Sequence, residues 1–213
     1  MRRSTKRKQS GATIIEFTLS LAFMIPLLIG TFVFGFRLVQ AQQIDQITRD
    51  LAHMYSRGVD FTTVGGAGEA ESLANQFGLT SSGQAALFFS TITLASTATC
   101  QAYNGTNSCT NLGKAIFTQQ VGIGNVSSNA SAFGTPTSSG SLPATTGVSN
   151  DYSTNVSTTG QANNTWAVAN GFSNVLTLTS GQVVFLVEMY DNTPALSVGG
   201  ISGKALVYSR AIF

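Results

Sequence analysis

The chain has 213 residues, of which 9% are charged, far below the usual quarter. Five of its eleven Lys/Arg (Arg2, Arg3, Lys6, Arg7 and Lys8) precede Gly11, and the remainder holds six Lys/Arg against nine Asp/Glu, so the formal charge of +2 belongs to one end. That distribution makes the net positive charge poor evidence for nucleic-acid binding, and no nucleic-acid partner is expected; it fits a topogenic end beside a membrane segment.

In chain order, residues 1–11 are a basic leader and residues 12–36 are apolar apart from Glu16 and a few hydroxyls. Phe17 to Phe36 carries no charge, and as a helix those residues reach about 30 Å, the thickness of a bilayer's hydrocarbon core. The positive-inside rule puts the leader in the cytoplasm and everything after Arg37 outside it. Pro26 interrupts this run, which membrane helices tolerate. From residue 37 to 57 the period changes: Leu38, Ala41, Ile44, Ile47, Leu51 and Met54 recur every three or four positions, with Gln42, Asp45, Gln46, Arg49 and Asp50 between them. This spacing predicts an amphipathic stalk continuous with the apolar helix, one helix from Ala12 to Arg57 ended by Gly58.

Residues 58–213 are expected to form an extracytoplasmic domain rich in Gly, Ser, Thr and Asn. "VGGAGEA" from Val64 fits neither a dinucleotide nor a phosphate-loop spacing and reads as a flexible joint between stalk and domain. "EAESLANQFG" reads as a short helix ending at Gly78. Strands are predicted at "ALFFSTITLA", at "KAIFTQQVGIG" (Ile116, Thr118 and Gln120 opposed to Phe117, Gln119 and Val121) and at "KALVYSRAIF". "NVLTLTSGQVVFLVEMY" reads as two strands joined at Ser180-Gly181, the second apolar on both faces and so central in a sheet. Residues 125–164, with Pro136 and Pro143, read as a long surface loop. The fold class is α+β: a long N-terminal transmembrane and stalk helix, then a mainly β domain with a short helix and long polar loops.

Cys100 and Cys109 enclose the polar "CQAYNGTNSC" segment with its Asn104-Gly105 turn, and outside the cytoplasm a disulfide between them is expected. A metal site would need more ligands, and the only histidine, His53, lies far away on the stalk. No metal or other cofactor is expected. Nucleophilic catalysis has no histidine near a candidate serine, so no enzyme activity is expected. Glu188 and Asp191, with Asp151, have the hard oxygens a calcium ion takes, but solvated carboxylates are the simpler expectation. Trp166 reads as core packing. Asn104, Asn125, Asn129, Asn155 and Asn163 head N-x-S/T triplets that chance supplies in such a composition.

The N-terminal features combine into a recognisable arrangement: a basic leader ending in Gly11, the small Ala12, then Glu16 and Phe17 at the front of a long apolar helix. This resembles the type IV prepilin signal in its tight-adherence (Tad, or Flp) pilus form, which a prepilin peptidase cuts after the glycine on the cytoplasmic side. The rest of the chain resembles the TadE-like minor pilins: one anchor, an extracytoplasmic domain of this size, a cysteine pair and a β-rich end closing in "FLVEMYDNTPAL" and "ALVYSRAIF". The resemblance implies a structural subunit in the bacterial inner membrane or at the cell surface, serving attachment. Its partners would be the prepilin peptidase, other pilins and the assembly platform. A carboxylate in lipid costs roughly 2.5–3.5 kcal/mol, and the resemblance implies that Glu16 is neutralised by the new α-amine of a neighbouring subunit. A pseudopilin of a type II secretion system and a membrane-anchored binding module or enzyme without a filament are the alternatives. "LVQAQQ" also offers a secretory-type cleavage site after Ala41, although the apolar region before it is longer than such signals use.

Overall fold

The computed structural model describes residues 10–137, 148–149, 164–192 and 206–213. The leader ahead of Ser10, and Pro143, Asp151, Asn155 and Asn163, lie outside these. One unbroken helix, α1, runs from Ser10 to Ser56 with Pro26 inside it, which at about 1.5 Å per residue makes it roughly 70 Å long. It ends as expected at Gly58, whose φ of 91° is left-handed. The Gly58 amide donates to the Tyr55 carbonyl and the Val59 amide to that of Met54. These two bonds cap carbonyls that α1 itself leaves open.

A second helix, α2 (Val64–Leu73), follows at once. Its first turns are the "VGGAGEA" segment, so this is no flexible joint. Glycine is a poor helix former, but here packing decides: a Cβ on Gly66 would lie 2.1 Å from the Asp60 carbonyl oxygen. Thr63 caps the helix by accepting from the Gly66 amide. A 3-10 turn at Asn75–Phe77 then closes on the left-handed Gly78.

The sheet comprises β1 (Ala85–Leu94), β2 (Ala115–Gly124), β3 (Val148–Ser149), β4 (Val183–Asp191) and β5 (Val207–Ile212), in the order β3-β2-β1-β4-β5. All its pairings are antiparallel. As its apolar run predicts, β4 is interior, between β1 and β5. That occupancy explains a correction. The predicted strand before Ser180-Gly181 is absent: both edges of β4, its hairpin partner, are held by β1 and β5, and Leu178 is buried against the sheet instead. A second correction lies in β2. The register slips between Thr91 and Ile92, leaving Thr118 as a bulge, so Phe117 faces the side opposite Val121 rather than sharing its face.

Two apolar layers result. On one face, Leu87, Phe89, Val121, Val187 and Met189 pack against Ile44, Leu51, Ala52 and Tyr55 of α1 and against Phe61. On the other, Ile92, Phe117, Val184 and Leu186 pack under Phe133, Phe172 and Leu178. The described part of the expected surface loop is therefore folded down: Val126, Ser131 and Phe133 are all buried. The second half of α1 is no free stalk either. Its packed stripe starts at Ile44, while Leu38 and Ala41, predicted on that stripe, are exposed.

Candidate functional site

The apolar half of α1 presents a long exposed apolar surface. It is long and apolar enough to cross a membrane by length and composition. Phe17, Leu19, Phe23, Leu27, Phe32 and Phe34 are each more than half exposed. Its hydroxyls are turned inward: Thr18, Ser20 and Thr31 donate to the carbonyls of Ile14, Glu16 and Leu28. A helix that satisfies its own polar groups in this way suits an apolar surrounding. Of the predicted processing residues, Gly11 and Ala12 lie in the first turn of α1, and Glu16 and Phe17 are exposed one turn further on. Ala12 and Glu16 are about 6 Å apart along the axis.

Three ties lock the other half to the sheet. Gln40 donates to Asp191, the Ser209 hydroxyl donates to Asp45 at 3.1 Å, and the His53 ring lies 4.2 Å from that of Phe213. Asp191 is paired with Val207, so the ties mark matching heights on α1 and β5. From Gln40 to His53 the helix climbs about 20 Å, and from Val207 to Phe213 the strand climbs about 20 Å. The two elements run side by side in the same direction. Further up α1, Tyr55 reaches β1 and β2. Its hydroxyl is 2.7 Å from the Thr91 hydroxyl and donates to Gln119 at 3.2 Å. Its ring meets Phe61, Phe89 and Phe185 edge-on. Burial pushes this phenol up to about 12.

Glu188 and Asp191 are not solvated carboxylates: both are buried. Three residues apart on a strand, they point to opposite faces, so they cannot hold one calcium ion between them. Asp191 faces Gln40. Glu188 faces away from α1 and accepts from the Ser131 hydroxyl, the Ala132 amide (3.0 Å), Tyr208 (2.9 Å) and Tyr190 (3.4 Å). Burial raises its carboxyl above the ordinary value, and those four donors pull it back only in part. This cluster pins the 125–137 segment to the sheet. Arg210 stands nearby, 5.6 Å over the Phe133 ring. Among the described residues no three of His, Cys, Asp and Glu come together.

Cys100 and Cys109 are bonded, with Cα atoms 5.4 Å apart. Cys100 sits not in a loop but on a helix, α3 (Thr97–Asn104), opened by a Ser96–Thr99 capping box and ended at the left-handed Gly105. Trp166 is half-buried on a 3-10 turn. A cleft of about 430 Å³ between α2 and the end of β2 is lined by Phe61, Val64, Glu71, Leu79 and Ile123; it gathers one carboxylate and no second charged group, which offers no acid-base pair. The sequence missed the Tyr55 anchor and the Ser131–Glu188 tie. Tyr55 was legible as Leu51 plus four, and Glu188 as a lone charge inside an apolar strand.

No protein-family model, no curated protein and no solved structure matches this chain.

Proposed function

We propose that this chain is a membrane-anchored structural subunit, a TadE-like minor pilin or pseudopilin of a tight-adherence pilus. One observation carries the reading: a single 47-residue helix is bare and apolar in its first half and part of a domain core in its second. Such a helix delivers a folded domain rigidly to the end of an anchor. The bare half is a surface that lipid covers before assembly and neighbouring helices cover after it. Glu16, exposed at its start, is costly in lipid and stands one turn from Ala12. Cleavage after Gly11 creates an α-amine with a reference pKa near 8, a partner for the Glu16 of an adjacent subunit. The basic leader sets the N-terminus in the cytoplasm and the domain outside it. The prepilin peptidase, the assembly platform and other pilins are the partners this reading requires.

The test separates insertion from assembly. Glu16→Ala should enter the membrane fraction at least as well as wild type and lose co-purification with other pilins, while Glu16→Asp keeps part of it. Gly11→Asp should leave the leader attached. Normal pilus assembly by Glu16→Ala would refute the pairing role. Normal attachment and filaments after deletion of the whole chain would instead support a membrane-anchored module with no filament role.

A further inference from the structure

We propose that the rim of the domain nearest the apolar half of α1, with Leu206 at its edge, rests in the lipid headgroup layer and holds the domain directly on the membrane. This rests on the membrane reading of α1 and adds to it a lipid contact made by the domain itself. The argument is one of height. The uncharged run ends at Phe36, and Arg37 is the first charge after it. The first tie between helix and sheet is Gln40 to Asp191, only about 4.5 Å further along the axis. Val207 is level with Asp191, and Leu206 is one strand residue lower, about 3.3 Å, which brings it level with Leu38. A bilayer's headgroup layer is about 5–7 Å thick on each side, so the rim cannot clear it.

The rim also has the surface for the place. Leu206 is 56% exposed, and Leu38 and Val39, at the same height on α1, are 47% and 51% exposed. Tyr208, a residue type favoured at membrane interfaces, is partly exposed two positions above Leu206. Asn192 at this rim donates from its side chain to Asn129 and from its backbone to the Gln84 carbonyl. Asp191, level with Val207, is buried and bonded to Gln40 rather than turned to solvent. The domain cannot swing clear, because the Asp45–Ser209 and His53–Phe213 ties hold β5 along the helix.

The experiment places an environment-sensitive fluorophore on one introduced cysteine at a time: Leu206→Cys, Val183→Cys and Phe23→Cys. The native cysteines are bonded to each other and do not compete for label. The full chain is reconstituted in vesicles of phosphatidylethanolamine and phosphatidylglycerol with lipids spin-labelled in the headgroup or in mid-chain. Val183 is half exposed at the opposite end of β4, about 26 Å above the rim, and is the reference for a domain site clear of lipid. The Leu206 label should be quenched by headgroup spin several-fold more than the Val183 label and should fluoresce further to the blue. The Phe23 label should be quenched by mid-chain spin. Quenching at Phe23 with equal, weak quenching at Leu206 and Val183 would overturn the rim contact and leave the anchor standing. No quenching at Phe23 would overturn the membrane reading and the rim contact together.

Discussion

The claim that α1 is half anchor and half core makes Tyr55 the most informative residue to change. Tyr55→Phe keeps the three edge-on ring contacts and removes the hydrogen bonds to the Thr91 hydroxyl and the Gln119 carbonyl oxygen. At about 1 kcal/mol per net hydrogen bond, the loss should be about 1–2 kcal/mol. Tyr55→Ala empties the centre of the helix–sheet layer and should cost about 3–5 kcal/mol. Leu38→Ala, at an exposed position of the same helix, should change stability by less than about 0.5 kcal/mol. Urea unfolding of the full chain in detergent, followed by the fluorescence of the single tryptophan, Trp166, measures all three. Alkali adds an independent check. The phenol stands at about 12 rather than 10.0 in the folded chain, so the folded state holds this proton more tightly than the unfolded one. The stability this contributes is complete below pH 10 and is lost as pH rises through 12, an effect of about 3 kcal/mol. Tyr55→Phe should lack that component. If Tyr55→Ala unfolds at the same urea concentration as Leu38→Ala, the second half of α1 is not part of the domain core and the reasoning fails.

Glu188 gives a second pH signature. Its carboxyl is raised by burial, so its contribution is full below the ordinary carboxylate value and is lost as pH climbs through the folded one. Wild type should therefore lose stability relative to Glu188→Gln as pH rises above the ordinary carboxylate range; a relative gain would contradict the burial. Replacing Cys100 and Cys109 together with Ser should lower stability by about 2–3 kcal/mol, read from the urea midpoint. Unfolded, unreduced wild type should bind no maleimide.

The long helix, four of the strands and the disulfide were legible because each has a local cause: a 3.6-residue period, β-branched alternation, or a cysteine pair across a turn. What escaped depends on distant partners. Glycine propensity argues against a helix at Val64–Ala70, but the Asp60 carbonyl requires a bare Cα at Gly66 and lets α2 start there. Residues 174–179 have a strand's composition, but both edges of β4, their hairpin partner, are held by β1 and β5. Alternation in β2 stops at Thr118 because the bulge is a property of the β1 register. Glu188 looked like a surface acid until Ser131, far away in sequence, closed over it. At the N-terminus the order is reversed: Gly11, Ala12, Glu16 and Phe17 stand out in the sequence, while the structure adds only that they share the first turns of α1 and that Glu16 and Phe17 are exposed.

The mature N-terminus, read by mass spectrometry on protein from the cell envelope, tests the central claim most directly. A processed pilin begins at Ala12 and keeps the whole apolar half of α1 attached to the domain. A chain beginning at Gln42 has been cut after Ala41 like a secreted protein. It has lost its anchor, Glu16 and the Gln40–Asp191 tie, and it contradicts the account.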